Sequence, residues 1–88
     1  MINITVKYTT GFVRQYTKLS IELREEVREK IELLKESKNN EKLKVHKLKG
    51  RLSGRYSFSV NYKYRIMFEY IDKKNIVLLT IGDHDIYL

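Results

Sequence analysis

The sequence predicts an α+β fold, with helices packed on one face of a single sheet, and three observations lead there. One alternating apolar stretch opens the chain, helical spacing fills the first half after it, and from about residue 42 the period drops to two. Strands that follow helices as a block, rather than alternating with them, favour an antiparallel meander over a parallel α/β sheet. The turn signals between periodic stretches are short, so the elements are close neighbours.

Ile2, Ile4 and Val6 alternate with Asn3, Thr5 and Lys7, the period of a half-buried strand. Thr9 or Thr10 can cap a short helix in which Phe12, Tyr16 and Leu19 fall on one face. A second helix begins after Ser20, with Leu23, Val27, Ile31 and Leu34 as its apolar stripe. Glu26 with Lys30 and Arg28 with Glu32 are opposite charges four apart, so its outer face reads as solvated. The helix should stop near Ser37 to Asn40, whose side chains compete for backbone hydrogen bonds.

From there Leu43 and Val45 point one way while Lys42, Lys44 and His46 point the other, which puts His46 on the cationic face of a strand. Gly50 and Ser53-Gly54 signal turns. Tyr56, Phe58 and Val60 alternate with Ser57 and Ser59, and Tyr64, Ile66, Phe68 and Tyr70 with Arg65, Met67 and Glu69, giving two more strands. Tyr56, Phe58, Tyr64 and Phe68 alternate as a buried face should, which favours a core role over stacking on a ligand. Asp72 to Asn75 is a hairpin loop. Ile76 to Ile81 is apolar at almost every position, as in a strand inside the sheet and covered on both faces; Gly82 ends it, and residues 83 to 87 follow as a polar tail. The expected order is strand, helix, helix, then three or four strands in a meander, one domain over residues 1–88.

Composition narrows the function. A chain of 88 residues builds one core, burying only about 60 to 65% of the surface its unfolded form exposes. It has no cysteine, so disulfides and thiolate metal sites are out of reach, and two histidines alone give no structural zinc set. No cofactor motif is present, and neither is a phosphate-cradling glycine loop or a Ser-His-Asp arrangement that spacing supports. The N-terminal stretch lacks a basic region followed by a long apolar run, and the longest apolar run is far short of the ~20 residues of a spanning helix. The expected setting is the reducing cytoplasm, with no membrane partner.

The formal charge of +7 is concentrated. Lys42, Lys44, Lys47, Lys49, Arg51, Arg55, Lys63 and Arg65 lie in a segment without any acidic residue, while the remaining ten basic and eleven acidic side chains nearly cancel. A cationic segment interleaved with Tyr56, Phe58, Tyr62 and Tyr64 suits a polyanion whose bases can stack. Single-stranded nucleic acid is the first candidate; an acidic protein would use the same surface.

The run HKLKGRLSGRYSFSVNYKYRIMFEY and the ending LLTIGDHDIY resemble the RelE/ParE superfamily of small toxins from type II toxin-antitoxin systems. The resemblance spans nearly the whole chain. It rests on His46-x-Leu48-x-Gly50, on Tyr64-Arg65-Ile66, and on Gly82-x-His84-x-x-Tyr87. It implies a ribosome-dependent messenger RNA endonuclease that works without metal and is held inactive by a cognate antitoxin with an acidic segment. Some relatives block DNA gyrase without catalysis, and a degenerate member would bind only its antitoxin. Two departures stand out. The RelE branch has two lysines on the strand where this chain has Ser57 and Ser59, and the further histidine and aspartate of YafQ-like branches find no match.

Metal-free RNA cleavage has the ribose 2′-oxygen attack the adjacent phosphorus, and needs a base, an acid and cations for the charge that develops. His46 lies among lysines, which favours a neutral base, and His84 between Asp83 and Asp85, which favours a charged acid, with Asp85 as its support. Arg65 can grip the scissile phosphate through its planar fork, and Tyr87 can stack on a base or position a proton. Lys44, Lys47, Lys49, Arg51, Arg55 and Lys63 would follow the RNA backbone. Each residue also has a plainer role open to it. His46 can simply be solvated, His84 can bond its neighbouring carboxylates, Arg65 can pair with Glu69 or a helical acid, and Tyr87 can plug the core.

Overall fold

The computed structural model describes residues 3–87, so the reading of Ile2 as part of the first strand falls outside it. Strand β1 (Thr5–Tyr8) leads into helices α1 (Thr10–Thr17) and α2 (Ile21–Leu34), and four strands follow: β2 (His46–Lys47), β3 (Tyr56–Ser59), β4 (Arg65–Tyr70) and β5 (Asn75–Gly82). The last four form the expected antiparallel meander. The first strand joins it in parallel beside β5, which gives a five-stranded mixed sheet of order β1-β5-β4-β3-β2. No local signal announces that last pairing, since it joins Thr5 to Asn75 across the length of the chain.

Both helices start where their caps allow. The Phe12 N–H donates to Thr9 Oγ1 at 3.0 Å and the Leu23 N–H to Ser20 Oγ at 3.2 Å, so of the two threonines it is Thr9 that caps α1. Helix α2 ends at Leu34, where its apolar stripe ends and a few residues before the expected Ser37 to Asn40, and the Asn39 side-chain amide donates to the Leu33 carbonyl at 2.8 Å. The charge pairs on α2 also differ from expectation. Glu32 pairs with Lys35, and Glu26 accepts from the Asn61 amide at 2.8 Å, which leaves Lys30 and Arg28 without those partners.

One face of the sheet packs on the helices. Phe58, Ile66, Phe68, Ile76, Leu78 and Ile81 meet Phe12, Val27, Ile31 and Leu34, each at most 6% exposed. Tyr56 stacks on Phe68 at 5.6 Å between ring centroids, and Tyr56 and Tyr64 pack partly against the same core, so the alternating aromatics are core residues. Strand β5 is interior, as its apolar run predicts, but its far face is only half covered. The register steps from Met67 opposite Thr80 to Phe68 opposite Leu78, leaving Leu79 as an extra residue in a bulge. The bulge switches parity, so Ile76, Leu78 and Ile81 all reach one core. Past the end of β1, Thr9 and Gln15 of α1 take over its role at the edge of β5. The Thr9 hydroxyl donates to the Leu79 carbonyl at 3.2 Å, and the Ile81 N–H donates to Gln15 Oε1 at 2.9 Å.

Two further expectations need correction. Residues 41–44 are turn rather than strand, and Lys44 has φ +58°, a left-handed conformation. His46 still lies on the strand, on its exposed side. The end of the chain is not a free polar tail. Residues His84–Tyr87 form a 3-10 turn that folds back over the outer face of the sheet.

Phe68 sits at the centre of the aromatic group with no exposed surface. Its truncation to alanine should cost about 3 to 5 kcal/mol. That is a large part of the roughly 4 to 13 kcal/mol a chain of 88 residues has. Urea unfolding of Phe68→Ala should therefore show a midpoint lowered by about a quarter or more, or no folded baseline.

Candidate nucleic-acid interface

Alternation places His46, Ser57, Met67 and Thr80 on the sheet face turned away from the helices, and their register sets them in one row across four strands. That face should be open to water, yet Ser57 is 0% and Met67 2% exposed. The C-terminal turn supplies the cover. Its seat depends on Gly82, where an added Cβ would stand 2.5 Å from Cγ2 of Ile86. Asp83 then shapes the turn, its carboxylate accepting from the Asp85 N–H at 2.9 Å and its carbonyl from the Ile86 N–H at 3.1 Å.

So seated, the turn brings Tyr87 onto the row. The Tyr87 hydroxyl and Ser57 Oγ are 2.8 Å apart, and Ser57 Oγ lies 3.4 Å from His46 Nε2. The other ring nitrogen of His46 is 2.9 Å from the Lys44 carbonyl. A carbonyl can only accept, so Nδ1 carries the proton and Nε2 of the neutral ring is left as an acceptor. The left-handed conformation of Lys44 belongs to the turn that presents this carbonyl. Arg51 closes the arrangement by donating to the Tyr87 carbonyl at 3.3 Å.

His46 and Tyr87 are thus joined through Ser57, a link no sequence signal reveals because it depends on strand register. His84 is exposed on the same turn, its ring 6.1 Å from that of Tyr87. Among the described residues no hydrogen bond or ion pair joins it to Asp83 or Asp85; the Asp83 carboxylate caps the turn instead, and Asp85 is exposed. Arg65 lies one row further along, opposite Ser59. It does not pair with Glu69, which Arg55 holds at 3.3 Å; its Nη1 donates to the carbonyls of Asn61 at 2.7 Å and Tyr64 at 3.2 Å, which fixes a half-buried guanidinium with donors to spare.

The basic residues divide accordingly. Arg51 and Arg55 are engaged by Tyr87 and Glu69. Lys44, Lys47, Lys49 and Lys63 are exposed and, among the described residues, form no ion pair; Lys63 Nζ lies 5.5 Å from the centroid of the Tyr64 ring. The result is a row of proton-handling groups bordered by free ammonium groups and one anchored guanidinium. That can hold a phosphodiester and move protons beside it.

The sequence profile of the HigB-like toxins, described as RelE-like toxins of type II toxin-antitoxin systems, matches residues 8–84. The chain belongs to this family of RelE-like toxins. Solved structures give the same fold. The RelE-RelB complex from the archaeon Pyrococcus horikoshii matches with a TM-score of 0.73 at 22% identity, over 93% of this chain and 96% of that one. The RelBE2 toxin-antitoxin complex of Mycobacterium tuberculosis matches at 0.72 and 24% identity, over 94% and 100%. A variant of YafQ from Escherichia coli matches at 0.69 and 14% identity, over 97% and 98%. A search of curated proteins by sequence finds no match. Among the described residues no helix of this toxin is long and apolar enough to cross a membrane.

Gly82→Ala should drive the C-terminal turn off the sheet, because Cγ2 sits on a stiff β-branched side chain. The strain expected is about 1 to 3 kcal/mol. Loss of the nuclear Overhauser contact between Tyr87 and β3 is the expected signature, and the double variant Gly82→Ala/Ile86→Ala should restore it.

Proposed function

We propose that this toxin is a ribosome-dependent endoribonuclease that cuts messenger RNA by attack of a ribose 2′-oxygen on the adjacent phosphate, with no metal taking part. The observation that supports this best is the hydrogen-bonded row of His46, Ser57 and Tyr87 lying among exposed lysines that form no ion pair among the described residues. Family membership supports the class of activity, and dependence on the ribosome rests on the resemblance to RelE toxins.

The Ser57 hydroxyl has one proton and two neighbours, and it can turn between them. Pointing at His46, it occupies Nε2. Pointing at the Tyr87 oxygen, it leaves Nε2 open for the 2′-hydroxyl and frees the phenolic proton to face a phosphate oxygen. His46 then takes the 2′-proton as the 2′-oxygen bonds to phosphorus. The bond from phosphorus to the 5′-oxygen breaks, and His84, entering protonated, gives that oxygen its proton. The products are a 2′,3′-cyclic phosphate and a free 5′-hydroxyl, and solvent resets both rings. Arg65, anchored through Nη1, directs its remaining donors at the charge that develops on the phosphoryl oxygens. Lys44, Lys47, Lys49 and Lys63 hold the flanking backbone.

Ser57 stands where the RelE branch has a lysine, and its burial suits the smaller side chain. Its bonds to His46 and Tyr87 also argue for an active toxin over a degenerate one. The partner that restrains it is a cognate antitoxin, as in the complexes solved for similar proteins. An acidic antitoxin segment can cover the strip from Lys42 to Arg65 or lift the C-terminal turn with Tyr87 on it. The place of action is the cytoplasm, where ribosomes translate.

Single-turnover cleavage on programmed ribosomes should give a bell-shaped pH profile. His46→Gln should lower the rate by about 10² to 10⁴ and remove the acid limb, and His84→Gln the alkaline limb. Ser57→Ala should act like a weaker His46→Gln. A pH profile unchanged in shape by either histidine substitution would contradict the assignment.

A further inference from the structure

Beside the row just described, a cavity of ≈ 290 Å³ opens at the edge of the sheet, between α2, the turn before β2 and the β3–β4 connection. Four of its lining side chains are cations: Lys30, Lys42, Lys44 and Arg65. None is acidic. Lys30 would ordinarily be neutralised by Glu26 four residues before it, but Glu26 accepts from the Asn61 amide instead. Lys30 is half-buried and, like Lys42 and Lys44, makes no ion pair among the described residues. Like charges gathered around a concave surface create a potential that an anion relieves.

Two observations identify the anion. Arg65 is shared, lining this cavity while standing opposite Ser59, two residues along β3 from Ser57. That is a step of about 7 Å along the strand, so a chain held at Ser57 continues naturally to the cavity. Tyr62, on the cavity wall, is 92% exposed. The carboxylates of an acidic peptide would meet the same charges but leave the ring unused, whereas each nucleotide pairs a phosphate with a base that stacks on one.

We propose that this cavity is a second phosphate site for the RNA strand, holding a phosphodiester that neighbours the one being cut, with the attached base against Tyr62. The site rests on the endonuclease reading for its ligand but adds Lys30, Lys42 and Tyr62 to the residues that hold it. It also gives the strand a direction, from Tyr87 past Arg65 towards α2.

The test uses the full chain and a fluorescent single-stranded oligoribonucleotide methylated at every 2′-oxygen, which cannot be cut. Anisotropy titrations over a range of salt should show Lys30→Gln and Lys42→Gln each weakening binding about three- to tenfold and lowering the slope of log affinity against log salt by about 0.7. Tyr62→Ala should weaken binding with the slope unchanged. Lys18→Gln, outside the cavity, should change neither, and unchanged thermal midpoints would show that the lysine variants fold. Slopes unaffected by Lys30→Gln and Lys42→Gln would overturn the site, and so would failure of the wild type to bind the oligonucleotide. Dependence on Lys30 for polyglutamate but not for RNA would overturn it in favour of an acidic peptide. Cleavage of unmodified messenger RNA is scored separately. Lys30-dependent binding without cleavage would support the site and end the nuclease reading, whereas cleavage with Lys30-independent binding would do the reverse.

Discussion

The hydroxyl of Tyr87 and the buried Oγ of Ser57, 2.8 Å apart, hold the C-terminal turn against the outer face of the sheet, and the site exists because of that contact. A serine with no exposed surface needs a partner for its hydroxyl, since an unpaired buried donor or acceptor costs about 1 to 3 kcal/mol. His46 and Tyr87 together meet that need. The same bonds that satisfy Ser57 hold His46 and Tyr87 in place, so the stability of the turn and the geometry of the site have one cause. Removing the turn would expose Ser57 and Met67 and separate His84 from the sheet at once.

Much of this was legible in the sequence where the signal is local. Thr9 or Thr10 and Ser20 announce the two helices, the stripe from Leu23 to Leu34 announces a buried face, and His46 lies on an exposed strand face as read, although residues 41–44 turn out not to be strand. Features that depend on pairing were not legible. Neither the parallel partner of β1 nor the bulge at Leu79 leaves a periodic trace, and the bulge makes a one-sided strand look two-sided. For the same reason Ser57 reads only as a missing lysine until strand register sets it between His46 and Tyr87. The spacing of Glu26 and Lys30 promises an ion pair, which the long-range bond from Asn61 takes away.

The arrangement of cations follows a consistent logic. Guanidinium groups are held by oxygen acceptors: Arg51 by Tyr87, Arg55 by Glu69 and Arg65 by two carbonyls. Their planar forks can accept such anchoring and still donate elsewhere. The ammonium groups of Lys44, Lys47 and Lys49 stay in water, where they cost little and can track a flexible polyanion. Fixed arginines and exposed lysines make one cationic surface, which on the proposed reading attracts RNA broadly and holds it at more than one phosphate. An acidic antitoxin segment would be drawn to the same field, so on the proposed reading it would compete with RNA for this surface.

The most direct measurement is primer extension on messenger RNA from a translating extract, comparing the wild-type chain with His46→Gln/His84→Gln. The account predicts cuts within codons that appear only with the wild type and only while ribosomes are engaged. Cuts that persist in the double variant would contradict the placing of the chemistry on the histidines, and growth arrest without any cut would contradict the nuclease itself.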